Sequence, residues 1–388
     1  MRQLLEILIV SFRLGLTSFG GPVAHLGYFH EEYVRRRQWM DEKSYADLVA
    51  LSQFLPGPAS SQVGIGIGVA RGGIVGGFVS FVGFTLPSVV LLIVFAYIAQ
   101  SYGVLDAGFI QGLKIVAVVV VAHAILGMAG NLTPDMTCKA IALGALVLTL
   151  LIPHFMIQIV VIITAAVVGF CLYRGERLAK EETVNLSLPL SRRFGAICLA
   201  LFVVLLLGLP MLSQLSTNMW IGVVDSFYRA GALVFGGGHV VLPLLEREFV
   251  PTGLISAESF LAGYGAAQAV PGPLFTFAAY IGADLGGWAG GLVATAAIFL
   301  PAFLLILGAL PFWNTLRHND AARAALMGVN AAVVGILIAA FYTPIWTSAI
   351  VGPLEFAFAA ILFFMLVYWK LPPWLIVLTG AIGGAVLL

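Results

Sequence analysis

The chain has 388 residues, 61% of them hydrophobic and only 10% charged, with a net charge of +1. A water-soluble globule could not keep so many apolar side chains inside, so the sequence reads as an integral membrane protein, and the near-neutral charge excludes a basic nucleic-acid surface. The apolar runs lack the strict alternation of an outer-membrane barrel, which leaves a polytopic all-α bundle.

From the start of the chain, Arg2 to Phe19 is mostly apolar but carries Glu6 and, about halfway along, Arg13, and it ends in Ser18-Phe19-Gly20-Gly21-Pro22. Glu6 and the absence of a small-residue cleavage site argue against a cleavable signal peptide. Val23 to Tyr33 forms a second short helix, so the pair is expected as a hairpin broken at Gly20-Gly21. Gln53 to Gln62, QFLPGPASSQ, breaks the next run: Pro56 and Pro58 lack amide donors and Gly57 lets the chain turn. Inside a bilayer such breaks are tolerated only where protein or a wet cavity satisfies the freed backbone groups, which marks the edge of a transport site.

Ile74 to Ala99 and Gln111 to Gly130 are long enough to span. Lys139 to Ile152 and Phe155 to Tyr173 are expected as a tight antiparallel pair about Pro153. A polar linker, residues 174–193, separates a first repeat (1–173) from an extra span (194–219) and a second repeat (220–388). The repeat shows as a constant offset. Arg13, Gly15, Phe19, Gly20, Gly21 and Glu32 match Arg229, Gly231, Phe235, Gly236, Gly237 and Glu248 at 216. Gln53, Pro56, Gly57 and Pro58 match Gln268, Pro271, Gly272 and Pro273 at 215. Basic residues flank the first pair of hairpins (Arg35, Arg36, Arg37, Lys43, Arg71) and fill the linker, whereas the equivalent flank of the second pair, Glu246, Arg247, Glu248 and Glu258, has no cationic excess. The connection after the long span has no basic residue in the first half and holds Arg317 and Arg323 in the second. The bias inverts, so the repeats are expected upside down to each other, with the linker cytoplasmic.

Arg13 and Arg229 are matched intramembrane cations, each costly unless paired or wet; they would offer two positive charges to a dianion, the bland alternative being snorkelling. Half-helices starting after Pro58 and Pro273 would aim the free amides of Ala59, Ser60 and Ser61, and of Leu274, Phe275 and Thr276, at the midplane, where helix N-termini attract oxyanions. Ser60, Ser61, Thr276, Gln53 and Gln268 add neutral donors or act only as caps, and Lys114 lines the path or snorkels. His25, His239, Glu32 and Glu248 are candidates for proton coupling, with ordinary packing and capping as the alternative. Cys138, Cys171 and Cys198 have neither metal-ligand nor redox spacing, so no metal and no cofactor is expected. A membrane enzyme such as a lipid phosphatase, with Ser60 or Ser61 as nucleophile, would need a base in reach; the break itself contains none.

FRLGLTSFGGP, HEEYVRRRQW and QFLPGPASSQVGIGIG, with the second-half forms FYRAGALVFGGGHVVLPLLE and QAVPGPLFTFAAYIG, together resemble the long, two-domain members of the chromate ion transporter family. The resemblance implies a multi-pass protein of the bacterial inner membrane that exports chromate and confers resistance, with sulfate, a similar tetrahedral dianion, as competitor or alternative substrate. Partners expected beyond the anion are the lipid bilayer and, as an open option, a second copy in a homodimer. Gly238 stands where Pro22 does and Leu274-Phe275 replace Ala59-Ser60, so the repeats are not expected to share ligand contacts equally.

Overall fold

The computed structural model describes residues 2–19, 21–101, 108–152, 157–174, 190–235, 238–313 and 319–387. α1 (Arg2–Thr17) stops at Ser18-Phe19 and the chain returns as α2 (Gly21–Phe29), continued by a π-helical turn over His30–Arg36. Ser11 Oγ and Tyr33 Oη, 3.1 Å apart, hold the two arms together. α3 (Glu42–Phe54), N-capped by the Asp41 carboxylate on the Ser44 amide, runs to the Pro-Gly-Pro and returns as the start of α4 (Ala59–Ser101). Gly57 sits at φ +108°, a conformation only glycine takes without strain.

α4 is two helices joined by a reversal. Gly72 and Gly73 leave helical geometry. Beyond them the backbones approach so closely that a Cβ on Gly68 would lie 2.4 Å from the Gly76 carbonyl oxygen, while Ser80 Oγ donates to the Gly64 carbonyl at 2.9 Å. The first arm of α4 therefore folds back along α3, with Gly66 under Leu48, and the second arm runs on as a span. At 1.5 Å per residue, the 13 residues of α3 rise about 20 Å, short of a hydrocarbon core of about 30 Å. Both hairpins enter and leave by the same face, so they are re-entrant.

The second repeat copies this arrangement. α9 (Met219–Leu233) returns through a 3₁₀ turn, Gly238–Val240, as α10 (Val241–Phe249). α11 (Ala257–Ala269) returns through a 3₁₀ turn, Leu274–Thr276, as α12 (Phe277–Ala309), which reverses at Gly286-Gly287 with Gly282 against Gly290. The long arms of α4 and α12 pack on each other. Phe78 meets Phe303, Phe81 meets Phe299, Ile93 meets Gly291 and Tyr97 meets Trp288. Rising numbers on one helix face falling numbers on the other, so two equivalent helices lie antiparallel. Only a pseudo-two-fold axis perpendicular to them does that, which makes the repeats inverted.

Seven further helices surround the hairpins: α5 (Gly108–Leu132), α6 (Met136–Leu151), α7 (Ile157–Tyr173), α8 (Arg192–Leu215), α13 (Asp320–Ala340), α14 (Pro353–Val367) and α15 (Pro373–Leu387). The expected tight pair of α6 and α7 is corrected. Both pack chiefly on α13 of the other repeat, and α5 packs in the same way on α14 and α15. Glycine permits these crossings: a Cβ on Gly328 or Gly335 would sit 2.0 Å from the Ala165 or Ala142 carbonyl oxygen, and one on Gly112 2.0 Å from that of Gly380. Each repeat thus supplies a helix that the other needs. α8 stands outside this exchange, with an outer face of Val204, Leu207 and Met211 exposed.

At the centre the four hairpin tips meet. The Gly57 amide donates to the Val234 carbonyl at 2.6 Å, and the Gly272 amide donates to the Ser18 carbonyl at 2.9 Å. Ser18 and Val234 are equivalent positions, so the two bonds are one contact made twice across the pseudo-two-fold axis.

Alanine at Gly57 or Gly272 should lower the melting temperature of the detergent-purified protein, since positive φ alone costs about 1–3 kcal/mol. Gly272→Ala should cost more, because its Cβ would fall 2.2 Å from Ser88 Oγ, whereas that of Gly57→Ala comes no nearer than 3.3 Å to a side-chain nitrogen. Equal melting temperatures for the two variants would contradict this ranking. Cysteines placed singly at residues 35–43 and 247–258 should label from opposite faces of sealed vesicles, and labelling from one face would contradict the inversion.

Candidate functional site

Three of the tips, together with α5 and the facing ends of α14 and α15, border an open pocket of about 80 Å³ lined by Gly21, Val120, His123, His239, Ala267, Gln268, Val270, Gly272, Leu274, Leu366 and Pro373. Four of the residues singled out in the sequence, Gly21, His239, Gln268 and Gly272, meet here. His239 leaves a helix-free break through a 3₁₀ turn, which aims its ring inward, and Nδ1 lies 2.8 Å from Tyr264 Oη. The Gln268 amide nitrogen is buried beside Tyr264 with no hydrogen-bond partner of good geometry. His123 of α5 completes the polar lining. It falls within the span expected over Gln111 to Gly130 and was not singled out there, because the packing of α5 on α11 is invisible along the chain.

A second polar group lies behind the same tips, on the first repeat. Ser18 Oγ, His25 Nε2, Ser61 Oγ and Gln62 Oε1 are all buried without a hydrogen-bond partner. Ser61 and Gln62 belong to the first turn of α4, whose leading amides have no intrahelical acceptor. Gln62 uses its Nε2 to close the break, donating to the Pro56 carbonyl at 2.8 Å, and so leaves an acceptor unused. Orphaned polar atoms in an apolar interior are costly, and several at one helix N-terminus point to a site filled by water or an anion. Because the Ser18 carbonyl takes the Gly272 amide, this cluster and the cavity share a wall.

The second repeat does not reproduce the cluster. Thr276 spends its amide and its hydroxyl on the Pro273 carbonyl, at 3.0 and 2.7 Å, so its expected role as a free donor is corrected. Phenylalanine occupies positions 275 and 277, and both rings are buried. Gly57 gives its amide to Val234, and Gln53 is exposed at the end of α3. Lys114 lies two turns from the cavity on α5 and does not line it. Gly20, Gly236 and Gly237 fall outside the described residues.

The arginines depart furthest from expectation. Arg229 is bound by Asp225 and Glu248 at 2.9 Å each, and the Glu248 carboxylate also accepts from Ser226. Arg13 is exposed on the outer side of α1, and among the described residues its guanidinium has no partner. The two do not converge, and the idea that they jointly neutralise a dianion is corrected. Glu32 and Glu248 are ion-pair partners rather than isolated acids: Glu32 holds Arg37 at 2.6 Å and Arg36 at 3.2 Å. Around it Glu6 joins Arg37 and Arg71, and Trp39 lies under both guanidinium groups, closing the base of the first repeat.

His25 is packed against Phe84, facing the Ser18 backbone, and sets Nδ1 3.3 Å from Ser60 Oγ. The fold thus supplies the base that the sequence did not show beside Ser60. The pair is 1% and 2% exposed, and among the described residues no carboxylate orients the histidine, so it lacks both substrate access and the third member that activates a nucleophile.

The family model described as chromate transporter matches residues 5–170 and 221–385, once per repeat. The chain belongs to the chromate transporter family. Similar proteins include an uncharacterised transporter of Methanocaldococcus jannaschii, 27% identical over 99% of this chain and 94% of its own. A chromate transport protein of Cupriavidus metallidurans is 28% identical over 86% of this chain and 81% of its own, and one of Pseudomonas aeruginosa is 25% identical over 84% and 77%. No solved structure matches the chain significantly. Membership fits a multi-pass helical fold with a polar cavity at its centre, and the family is one of transporters.

Arg229→Gln should lower thermal stability by about 2–4 kcal/mol, because it leaves Asp225 and Glu248 together without their cation. Arg13→Gln should leave the melting temperature within a degree or two, as exposed substitutions do. Melting curves of the two purified variants decide it, and similar losses for both would show that Arg13 has a structural partner after all.

Proposed function

We propose that the protein is a secondary transporter that exports chromate across the bacterial inner membrane, with the linker in the cytoplasm, and so confers chromate resistance. The observation that carries the reading is the meeting of four hairpin tips beside a pocket lined by two imidazoles, with unpaired donors and acceptors behind them. The named functions of the Cupriavidus and Pseudomonas relatives supply the substrate. A tetrahedral oxyanion suits the tip because the first amides of α4 donate hydrogen bonds to negative charge. No nucleotide-binding motif stands in the sequence, and an interior-negative potential favours export of an anion.

Alternating access draws support from the unequal state of equivalent residues. Arg229 lies in a tight space with Gln158, Leu244 and Glu248. The offset of 216 carries these to Arg13, Trp374, Tyr28 and Glu32, and there Arg13, Trp374 and Tyr28 are exposed. One face is latched by Arg229 and the other is open at Arg13. In the reading advanced here, the opposite state exchanges them, with Arg13 drawn to Glu32 and Arg229 released.

Proteoliposomes of the purified protein should show saturable chromate flux, with sulfate tested as competitor. Ser61→Ala should reduce the flux about tenfold, the worth of one charge-assisted hydrogen bond. Arg13→Gln, harmless to stability, should slow it comparably by removing the alternate latch. Chromate flux at the level of empty liposomes would defeat the reading, and sulfate flux without chromate flux would replace its substrate.

A further inference from the structure

With Arg229 neutralised by two carboxylates and Arg13 turned outward, no arginine among the described residues lines the pocket. A doubly charged oxyanion entering an apolar interior still needs compensating charge, since amides and hydroxyls alone leave most of the cost of burying it. Among the groups lining the cavity, only His123 and His239 can become cationic. They come from different repeats, α5 from the first and the 3₁₀ turn before α10 from the second, and they face one volume. Among the described residues no carboxylate lines that volume. The titratable group in contact with His239 is Tyr264 on α11, which holds its Nδ1. The phenol of Tyr264 can donate to or accept from His239 Nδ1, so it serves the ring in its neutral and its protonated form.

We infer that His123 and His239 are the charge-compensating anion ligands of the cavity, and that the oxyanion is carried together with protons taken up by these two imidazoles. This deepens the transport reading above and rests on it. Arrival of a dianion draws in up to two protons, one per ring, and release of the anion on the other side returns them. No bond is made or broken beyond these protonations, and charge balances: two minus on the anion, two plus on the rings. The translocated unit is then nearly neutral, which removes the electrostatic barrier to moving a dianion through the bilayer core. Gln268, whose amide nitrogen is unpartnered beside the same cavity, supplies a neutral hydrogen bond that does not change with pH.

The test is calorimetric titration of the detergent-solubilised full chain with chromate and with sulfate, in two buffers of different ionisation enthalpy, which counts protons taken up per anion bound. Wild type should take up between one and two protons. Affinity should fall about tenfold per pH unit for each proton coupled, as pH rises through the imidazole range. Because the bound anion stabilises the charged rings, binding is strongest at low pH and lost at high pH. His123→Gln and His239→Gln should each remove about one proton from the count and flatten the pH profile, while Gln268→Leu weakens binding with the proton count unchanged. These variants also separate the chain's protons from those on chromate itself. Melting temperatures check that each variant is folded, and His123, already exposed to the cavity, is the one expected to be neutral there. Anion binding with no proton uptake, or with an unchanged count in both histidine variants, would overturn the inference while leaving the transporter reading intact. Failure of both anions to bind wild type would overturn the two together.

Discussion

A proline-containing break in a membrane helix frees backbone groups that lipid cannot satisfy, and this chain answers that constraint by giving each repeat's free amide to the other repeat. The Gly57 amide reaches the Val234 carbonyl and the Gly272 amide reaches the Ser18 carbonyl. Neither hairpin set can be satisfied alone. The breaks therefore force the repeats together at their tips, beside the pocket lined by His123, His239 and Gln268. The same reciprocity governs the surround, where α13 packs between α6 and α7 and α5 against α14 and α15. Two copies that each lack a helix on one side close only as a pair.

Backbone symmetry coexists with chemical asymmetry. Gly15 and Gly231 both press on a long arm, at the Phe84 and Ile298 carbonyls, and both Pro-Gly-Pro glycines hold left-handed φ. The side chains around them have diverged. The first repeat keeps hydroxyls, an amide and an imidazole at its half-helix start, while the second fills the matching space with Phe275 and Phe277. Such division suits one anion bound off the axis: one repeat grips oxygens and the other contributes apolar wall and a histidine. Shape is conserved because the backbone contacts demand it, whereas one ligand needs only one set of donors.

Much of this was legible in the sequence. The offset of 216 gave the repeat, glycine and proline gave the breaks, and the inverted basic flanks gave the opposed orientation, because each follows from local chemistry. The reversal inside α4 was partly visible, as the basic flank Arg71 just before the span expected over Ile74 to Ala99. What could not be read were contacts between distant segments. Asp225 and Glu248 stand 4 and 19 positions from Arg229, and nothing along the chain shows that both fold onto its guanidinium. His25 and Ser60 are 35 apart and meet only because two hairpins cross. The matched arginines misled for the same reason: equivalent positions predict equivalent backbone, but one of the two carboxylates that hold Arg229 has no counterpart, since position 9, opposite Asp225, is isoleucine.

The account stands or falls on where the anion sits. A structure of the full chain in lipid nanodiscs with chromate bound, using chromium's anomalous scattering or a difference map against the anion-free state, locates it directly. The account predicts density between the α4 first turn and the His123–His239 cavity, within hydrogen-bond reach of Ser61 or Gln268. Density on the outer face of α1 beside Arg13, with the tip cavity empty, would contradict it.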